Sequence, residues 1–215
     1  MKKFTLLTVL AAFVAAFSFT SCNTDSDNSY TPLTPELQKN YQAAMAGSYN
    51  NMTLLFEKKN DANVNKQIDS VTVSCGVSMD STITMTNFPI AKLAEHITNK
   101  DLAAAIAKED PRTFTCKYNV APNSEPTIAY FIAWPSVIEM NLAYGTDNKS
   151  HKVQFVFAPS QYYGYCTLNE PRQLGFQFTL VQIWVDGAQT AYLKNSTSSY
   201  SSVAFACRNA FKKSK

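Results

Sequence analysis

The chain has 215 residues, 46% of them hydrophobic and 16% charged, with a formal net charge of +3. That is enough apolar material for one core of ordinary size or two small ones, and too small a basic excess, with no arginine-rich stripe, for a nucleic-acid partner. Six glycines and two histidines leave little from which to build a phosphate-cradling loop or a histidine-based metal cluster.

Lys2 and Lys3 form a positive start, and Phe4 to Phe19 is apolar apart from small hydroxyl residues, the layout of a secretory leader. The run is too short to span a bilayer, which takes about 20 apolar residues. Phe19-Thr20-Ser21-Cys22 resembles the lipobox of bacterial lipoproteins, with Phe19 where leucine is commonest. The resemblance implies lipidation of the Cys22 sulfur, cleavage just before it and acylation of the new amino group. Several acyl chains hold a protein to a membrane durably, since each buried CH₂ contributes about 0.8 kcal/mol. "NTDSDNSYTPLTP" follows, polar and without apolar periodicity, a composition that reads as a leash. Asp25 and Asp27 partly resemble the acidic signal that sends lipoproteins of Bacteroidota to the cell surface. The expected organisation is a signal peptide over 1–21, a linker over 22–33 and one β-rich domain over 34–215, on the outer membrane and facing the periplasm or the outside. Without Lys2 and Lys3 the net charge falls to near +1, and the tail "FKKSK" reads as a solvated end.

Thr34-Pro35-Glu36 starts a helix, with a hydroxyl N-cap, proline at the first position and an acid in the first turn. Leu37, Tyr41, Ala44 and Met45 give it one apolar stripe, and Gly47 ends it. The period then changes to two. Val71, Val73, Cys75, Val77 and Met79 share one parity and small polar residues the other, a strand with one dry face. Asp80-Ser81 interrupts as a turn or bulge before Ile83 and Met85 resume. Ile90, Leu93, Ala94 and Ile97 form a helical stripe behind Pro89, and Thr98 to Asp101 reads as a capping box opening a helix that Pro111 shuts.

Beyond this point strand signal dominates. Phe114, Cys116, Tyr118 and Val120 alternate with polar residues, whereas around Ile128, Tyr130, Ile132 and Trp134 both parities are apolar. Thr127 to Tyr144 carries one charge, Glu139, in 18 residues. Pro135, Glu139 and Asn141 oppose a membrane span there, and the β-branched and aromatic content predicts two buried strands. Val153, Phe155 and Phe157 make the next strand. In "LGFQFTLVQIWVDG" the apolar parity moves from Phe176, Phe178 and Leu180 to Val181, Ile183 and Val185, which predicts a β-bulge or a corner. Val203, Phe205 and Cys207 close the pattern. About eight to eleven short strands without crossover helices predict a mainly β (α+β) protein: an antiparallel barrel or sandwich with an N-terminal helix and two short inserted helices.

"AGSYNN" followed by "DSVTVSCGVSMDSTITMTNFPIAKLAEHI" is similar to uncharacterised lipoproteins of Bacteroidota that carry a domain of unknown function. In them an Ala-Gly-x-Tyr strand leads to an Asn-Phe-Pro-(Ile/Val) element and a short helix. The opening also resembles their calycin-like, lipocalin-like β-barrel lipoproteins, with Asn51 where those chains often have glycine. The resemblance is carried by residues 34 to 110 and implies a fold and an address; it brings no functional residues.

Chemistry is sparse. His96 lies in the Ile90 to Ile97 helix and His151 in the polar turn "TDNKSH", with no metal-ligand spacing between them, so neither a metal nor another cofactor is expected. No nucleophile elbow or dinucleotide fingerprint occurs. Cys75, Cys116, Cys166 and Cys207 permit two disulfides in an exported chain, or are buried free thiols; their apolar neighbours turn at least three of them inward, where a thiol is not a nucleophile. Glu139 is the one candidate functional acid, because desolvation in an apolar stretch raises a carboxyl pKa; the alternative is an outward-facing residue. Tyr162, Tyr163 and Tyr165, with Trp134 and Trp184, are the candidate ligand-binding set, as a platform for sugars or a wall of an apolar cavity. Asp69-Ser70-Val71 and Asp80-Ser81-Thr82 resemble the short sites at which Bacteroidota attach O-glycans, which points to Ser70 and Ser81. The expected function is a non-catalytic binding module for a glycan, peptide or protein, tied to the membrane by lipid. Alternatives are a lipocalin-like carrier of a small apolar ligand, and a hydrolase whose acids converge only in the fold.

Overall fold

A computed structural model describes residues 33–57, 68–123, 125–193 and 202–209. The leader, Cys22, all of the leash before Leu33 and the basic tail lie outside the described residues. In chain order come helix α1 (Pro35–Met45), strands β1 (Gly47–Glu57), β2 (Ile68–Ser78) and β3 (Thr82–Phe88), a 3-10 helix (Ile90–His96), helix α2 (Lys100–Ile106), and strands β4 (Arg112–Ala121), β5 (Ile128–Pro135), β6 (Ile138–Tyr144), β7 (Lys149–Pro159), β8 (Gly164–Thr167), β9 (Leu174–Val185), β10 (Ala188–Thr190) and β11 (Val203–Asn209).

Every ladder is antiparallel, and the ring β1-β2-β3-β4-β5-β8-β9-β11 closes when β11 pairs with both β9 and β1. The expected barrel is therefore an eight-stranded closed one. Two of its staves are interrupted. β5 and β6 run upward in succession, broken at Ser136-Val137, and β7 and β8 run downward along one edge of β9, broken at 160–163. With each interrupted pair counted as one stave, the chain goes up and down around the barrel, and closure leaves few free edges. β6 is an exception, paired only with β7 among the described residues, and Cα atoms of α2 lie within 8 Å of it. The helix covers that edge.

Three bulges turn the strands. β1 carries one extra residue against β2 between Tyr49 and Met52, with Asn51 at φ 58°, and β3 one against β4 between Met85 and Phe88, with Asn87 at φ 61°. Asparagine is one of the few side chains that adopts this left-handed conformation readily. On β9, Val156 faces Gln182 but Phe157 faces Leu180, so Val181 is the bulged residue. That is the place where the apolar parity moves. Asp186-Gly187, both at positive φ, then make the two-residue turn into β10 that an Asp-Gly pair favours.

The barrel is filled by aromatic rings. Phe88, Phe114, Phe157, Phe178 and Phe205, one from each of β3, β4, β7, β9 and β11, meet with centroid separations from 5.0 to 6.3 Å. Below them lie Tyr118, Phe131 and Phe176. At about 1.5–3 kcal/mol for each phenylalanine taken out of water, the five rings contribute on the order of 10 kcal/mol, as much as the whole net stability of a typical domain. Among the described residues the middle of the barrel is thus packed rather than hollow.

The predicted N-terminal helix closes the end where β1 begins. Thr34 Oγ1 accepts from Leu37 N at 3.1 Å, and Tyr41 and Met45 are buried. Leu33, placed in the leash by its sequence, packs against the core. Arg172 Nη1 donates to Ala44 O and Ala46 O at 3.0 and 2.9 Å, a cation on the negative end of the helix. Tyr49 Oη donates to Met45 O at 2.7 Å, and Gln42 Nε2 donates to Ser81 Oγ at 2.6 Å.

The inserted helices depart from the sequence reading in detail. Ile90–His96 is a 3-10 helix rather than an α-helix, although Ile90, Leu93 and Ile97 are buried as its stripe requires. The cap of α2 is Asn99, whose Oδ1 accepts from Leu102 N at 2.9 Å. Thr98, read as the cap, instead donates from Oγ1 to Tyr192 O, because Ile97 bridges to Leu193 and carries it there.

Gly164 and Gly76 test the packing. A Cβ on Gly164 would sit 2.7 Å from the Phe131 ring and 3.0 Å from Gly175 O, whereas one on Gly76 meets nothing within 4 Å. Gly164→Ala is expected to lose about 1–3 kcal/mol through overpacking, and Gly76→Ala to stay within about 0.5 kcal/mol. Urea denaturation of the two variants checks this; equal midpoints would refute the close packing of β8 on β5.

Candidate functional site

The outer face of β5 is where the structure parts from ordinary barrel patterning. Ala129, Phe131 and Ala133 face inward and are buried, so Ile128, Tyr130, Ile132 and Trp134 face outward. The stretch predicted as two buried strands is buried on one side only, and β6 follows suit with Ile138, Met140 and Leu142 inward against Glu139, Asn141 and Ala143 outward. Both parities of β5 read as apolar because its outer row is itself apolar. Single exposed apolar residues are ordinary, whereas a contiguous set marks an interaction surface.

That row ends at a gap in the ladder. Phe131 pairs with Gly164 and Ile138 with Phe155, but 132–137 and 156–163, which face one another between those pairs, share no ladder. Among the described residues, four of the six large exposed apolar side chains come from these two segments: Trp134 at 48%, Val137 at 47%, Tyr162 at 63% and Tyr163 at 60% exposure. Tyr130 pairs with Tyr165 just below. The Tyr165 ring lies over Gly175 so closely that a Cβ there would stand 2.5 Å from it, which fixes the ring as part of the wall. Trp134, Tyr162, Tyr163 and Tyr165 of the predicted set thus flank one break. Trp184 does not join them: it lies on β9, paired with Gln154 and Gln189, half-buried, its indole N–H donating to Gln182 Oε1 at 2.9 Å.

The surroundings of the break are hydroxyl- and amide-rich, and their charges are matched. Ser136 N and Oγ both donate to Thr115 O, at 2.9 and 2.7 Å. A cleft of about 460 Å³ beside them is lined by Arg112, whose Nε is buried without a hydrogen-bond partner, and by Thr113, Thr115, Ser136, Val137, Ile138 and Glu139. A second, of about 390 Å³, lies between α2 and the end of β6. Lys117, opposite Trp134, is 3.6 Å from Asp80; Arg112 pairs with Glu109 at 2.7 Å and Lys152 with Glu139 at 2.8 Å.

At Glu139 the outward-facing alternative is the one found. It stands outward on β6 in solvent, and the bond from Lys152, helped by Gln154 Nε2 at 2.9 Å, holds its carboxyl below the usual range rather than above it. Its apolar neighbours in sequence point to the other side of the strand, and what desolvation it meets is outweighed by the bond from Lys152. His151 is likewise not in a turn but on β7, where Nδ1 lies 2.7 Å from Asp186 Oδ2 and its ring 4.7 Å from that of Tyr144. His96 is buried. Among the described residues no group of three or more His, Cys, Asp or Glu side chains is placed to hold a metal ion. Of the two candidate modification sites, Ser70 is exposed on β2, while the Ser81 hydroxyl accepts from Gln42 of α1.

Cys75, Cys116, Cys166 and Cys207 are all buried free thiols. The closest pair, Cys75 and Cys207, has its sulfurs 3.9 Å apart, on β2 and β11 with β1 between them. Strands separated by a third stand about twice the 4.8 Å ladder spacing apart, beyond the reach of a disulfide without backbone movement. Burial pushes the Cys116 thiol up to about 12, and contact with Cys75 together with burial puts Cys207 well above its ordinary value. Cys166 is raised by burial, partly offset by the Tyr49 hydroxyl 3.2 Å away. Neutral, enclosed thiols of this kind are packing groups.

The model of a family described as a domain of unknown function (DUF4840) matches residues 44–185. The chain belongs to this family. The matched span runs from the end of α1 to the end of β9 and so contains the whole of the interrupted wall. Comparison with curated proteins and with solved structures gives no match.

The thiols yield a prediction with its sign. Cys116 and Tyr118 are both pushed up to about 12 by burial, from ordinary values of 9.0 and 10.0. Their contribution is complete below about pH 9 and is lost as pH rises from there to about 12, because the unfolded chain ionises first. Stability is expected to fall steeply in that window, by about 1.4 kcal/mol per pH unit for each group. In a Cys22→Ala variant, thiol titration at pH 8 is expected to find no reactive sulfhydryl in the native protein and all four in denaturant. Fewer than four in denaturant would mean that a disulfide had formed.

Proposed function

We propose that this chain is an exported lipoprotein, held by acyl chains on Cys22 to the outer membrane and facing the periplasm or the cell surface, that works by binding and not by catalysis. The observation that carries the reading is the division of apolar residues: the barrel interior is packed with rings, while Trp134, Tyr162 and Tyr163 stand exposed at the break in its wall. Large aromatic side chains left in water at one place are recognition material. The leader and the cysteine that follows it support the address, and the order of the staves supports kinship with the calycin-like barrel lipoproteins of Bacteroidota.

The carrier alternative asks for unfilled volume inside the barrel, and the described interior offers rings in van der Waals contact instead. The hydrolase alternative asks for an acid with a raised pKa facing a second one in a cleft, and the Glu139 carboxyl is held low by Lys152. Binding through the outer face remains as the reading with a positive structural feature behind it.

Two measurements test it. Cells expressing the chain are expected to incorporate labelled palmitate and keep the protein in the membrane fraction, and Cys22→Ala to lose both; an unlabelled wild-type chain that washes off membranes refutes the anchor. A soluble form lacking residues 1–22 is expected to be retained by immobilised envelope material, with retention falling about tenfold or more in a Trp134→Ala/Tyr162→Ala/Tyr163→Ala variant of unchanged melting temperature. Undiminished retention refutes the face as the binding surface.

A further inference from the structure

We propose that the occupant of this face is a neutral glycan, laid across the wall break with its sugar rings stacked on Trp134, Tyr162 and Tyr163. The proposal rests on the reading that the outer face is the binding surface, and names what it binds. Four observations lead to it. The first is chemical: an aromatic face carries negative charge density, and the C–H bonds on one side of a pyranose ring, polarised by the ring oxygens, meet such a face well, while the hydroxyls around the rim need donors and acceptors that are not ionised. Ser136, Thr113 and Thr115 on one side, with Asn119 on the strand position opposite Ile132, supply hydroxyl and amide groups of that kind.

The second is charge. An anionic sugar, a phosphate or an acidic peptide would call for a cation without a counter-charge, and Lys117 is ion-paired with Asp80, Arg112 through Nη2 with Glu109, and Lys152 with Glu139, while Arg112 Nε is buried without a hydrogen-bond partner and is a donor that an uncharged hydroxyl oxygen can accept from. Binding an anion there means breaking an existing pair, so the field favours an uncharged ligand.

The third is area. With about half of each ring in water, the three aromatics present on the order of 300 Å², at 150–250 Å² for a whole aromatic side chain. A stable protein–protein contact takes about 800 Å² on each side. The patch is too small for a second copy of the chain and of the right size for a few sugar rings. Its length agrees, since the six residues from 132 to 137 span about 20 Å at 3.3 Å each.

The fourth is the fate of the free strand edge. Along β6, the longest strand with one ladder partner among the described residues, an extended peptide would meet α2, whose Cα atoms come within 8 Å of β6, less than the roughly 10 Å that an inserted strand at 4.8 Å from each neighbour requires. At the break the three aromatic side chains are exposed.

The chain has two tryptophans, which makes the test direct. In a Trp184→Phe variant the emission of Trp134 reports on the face alone. It is titrated with neutral β-1,4-glucose, α-1,4-glucose, β-1,4-xylose and β-1,4-mannose hexasaccharides, and with a galacturonic acid hexasaccharide as the anionic counterpart. At least one neutral sugar is expected to give a saturable change with half-saturation at about 0.1–1 mM, weakened about tenfold or more by Tyr162→Ala/Tyr163→Ala. Saturation-transfer NMR on the unsubstituted chain gives the same reading should Trp184→Phe disturb the fold. No response from any neutral sugar, a response confined to the acidic one, or a response that ignores the tyrosines overturns the assignment. If envelope retention still depends on the three aromatics when the sugars fail, the glycan alone is wrong; if retention is independent of them too, the parent reading falls.

Discussion

Five phenylalanine rings from five strands occupy the same volume at the centre of the barrel, and that shared packing sets the terms for everything else. A barrel of eight strands has an interior just wide enough to be filled by side chains or to hold one small ligand. Here the inward positions of β3, β4, β7, β9 and β11 carry rings at one level, so the choice falls to filling. The stacked pair Phe178 and Phe205, with interplanar angle 12° and centroids 5.2 Å apart, bridges the β9–β11 ladder on which closure depends. Closure and core are therefore one interaction seen from two sides, the ladder holding the rings in register and the rings holding the ladder shut.

With the interior filled, the large exposed apolar side chains stand on the outside, and the same rings help to explain where. β5 contributes Ala129 and Ala133 inward on either side of Phe131. Small residues there leave room for the bulk of neighbouring strands, and Gly164 is stripped of a side chain so that the Phe131 ring can reach across. With its inner face given to small residues, β5 carries its bulky ones outward. The ladder between β5–β6 and β7–β8 breaks within two residues of Trp134, and the two tyrosines emerge from the opposite side of the same gap. The exposed aromatics and the discontinuity in the wall thus share a cause in how the barrel is filled.

Much of this was legible in the sequence. The alternation of Val71, Val73, Cys75 and Val77 gave a strand with the correct face inward, although Met79, read with them, lies past the end of β2 and is exposed; the change of parity at Leu180-Val181 predicted a bulge or a corner, and a bulge is found there, because a one-residue insertion must flip the side-chain period. Asn51, standing where similar chains have glycine, sits at φ 58°, so the exchange is conservative in backbone terms. Thr34-Pro35-Glu36 named its helix start. What could not be read was whatever depends on a partner distant in sequence. Which parity of β5 faces inward was undetermined because both are apolar. The capping role passed from Thr98 to Asn99 because Leu193 pairs with Ile97 and draws Thr98 to Tyr192. Glu139 faces outward because the pleat sends its apolar neighbours to the other face, an alternative the sequence offered, whereas its partner Lys152 on β7 could not be named from the sequence. Trp184 and Trp134, both aromatic residues on strands, fall on different parts of the wall for the same reason: strand periodicity fixes a side, and only the ladder fixes a neighbourhood.

The two ends of the barrel are not equivalent, and the asymmetry bears on the proposed anchorage. The chain enters through α1, whose last carbonyls are held by Arg172 and whose Gln42 holds the β2–β3 turn. These bonds fasten the helix to hairpin and loop at once, so tension applied through residue 34 is transmitted into β1, β2 and the segment before β9 rather than peeling away a single element. A tether attached ahead of α1 therefore pulls on the closed end. The aromatic break lies partway up the side wall, beyond the strand residues that meet α1, and under the proposed anchorage a face so placed would not be the part pulled against the membrane. A binding surface on the plug itself would be lost against the membrane, and one at the opposite mouth would answer only to ligands arriving end-on. On the flank, the proposed chain-like ligand would lie lengthwise along the rings, the geometry that a run of stacked contacts requires.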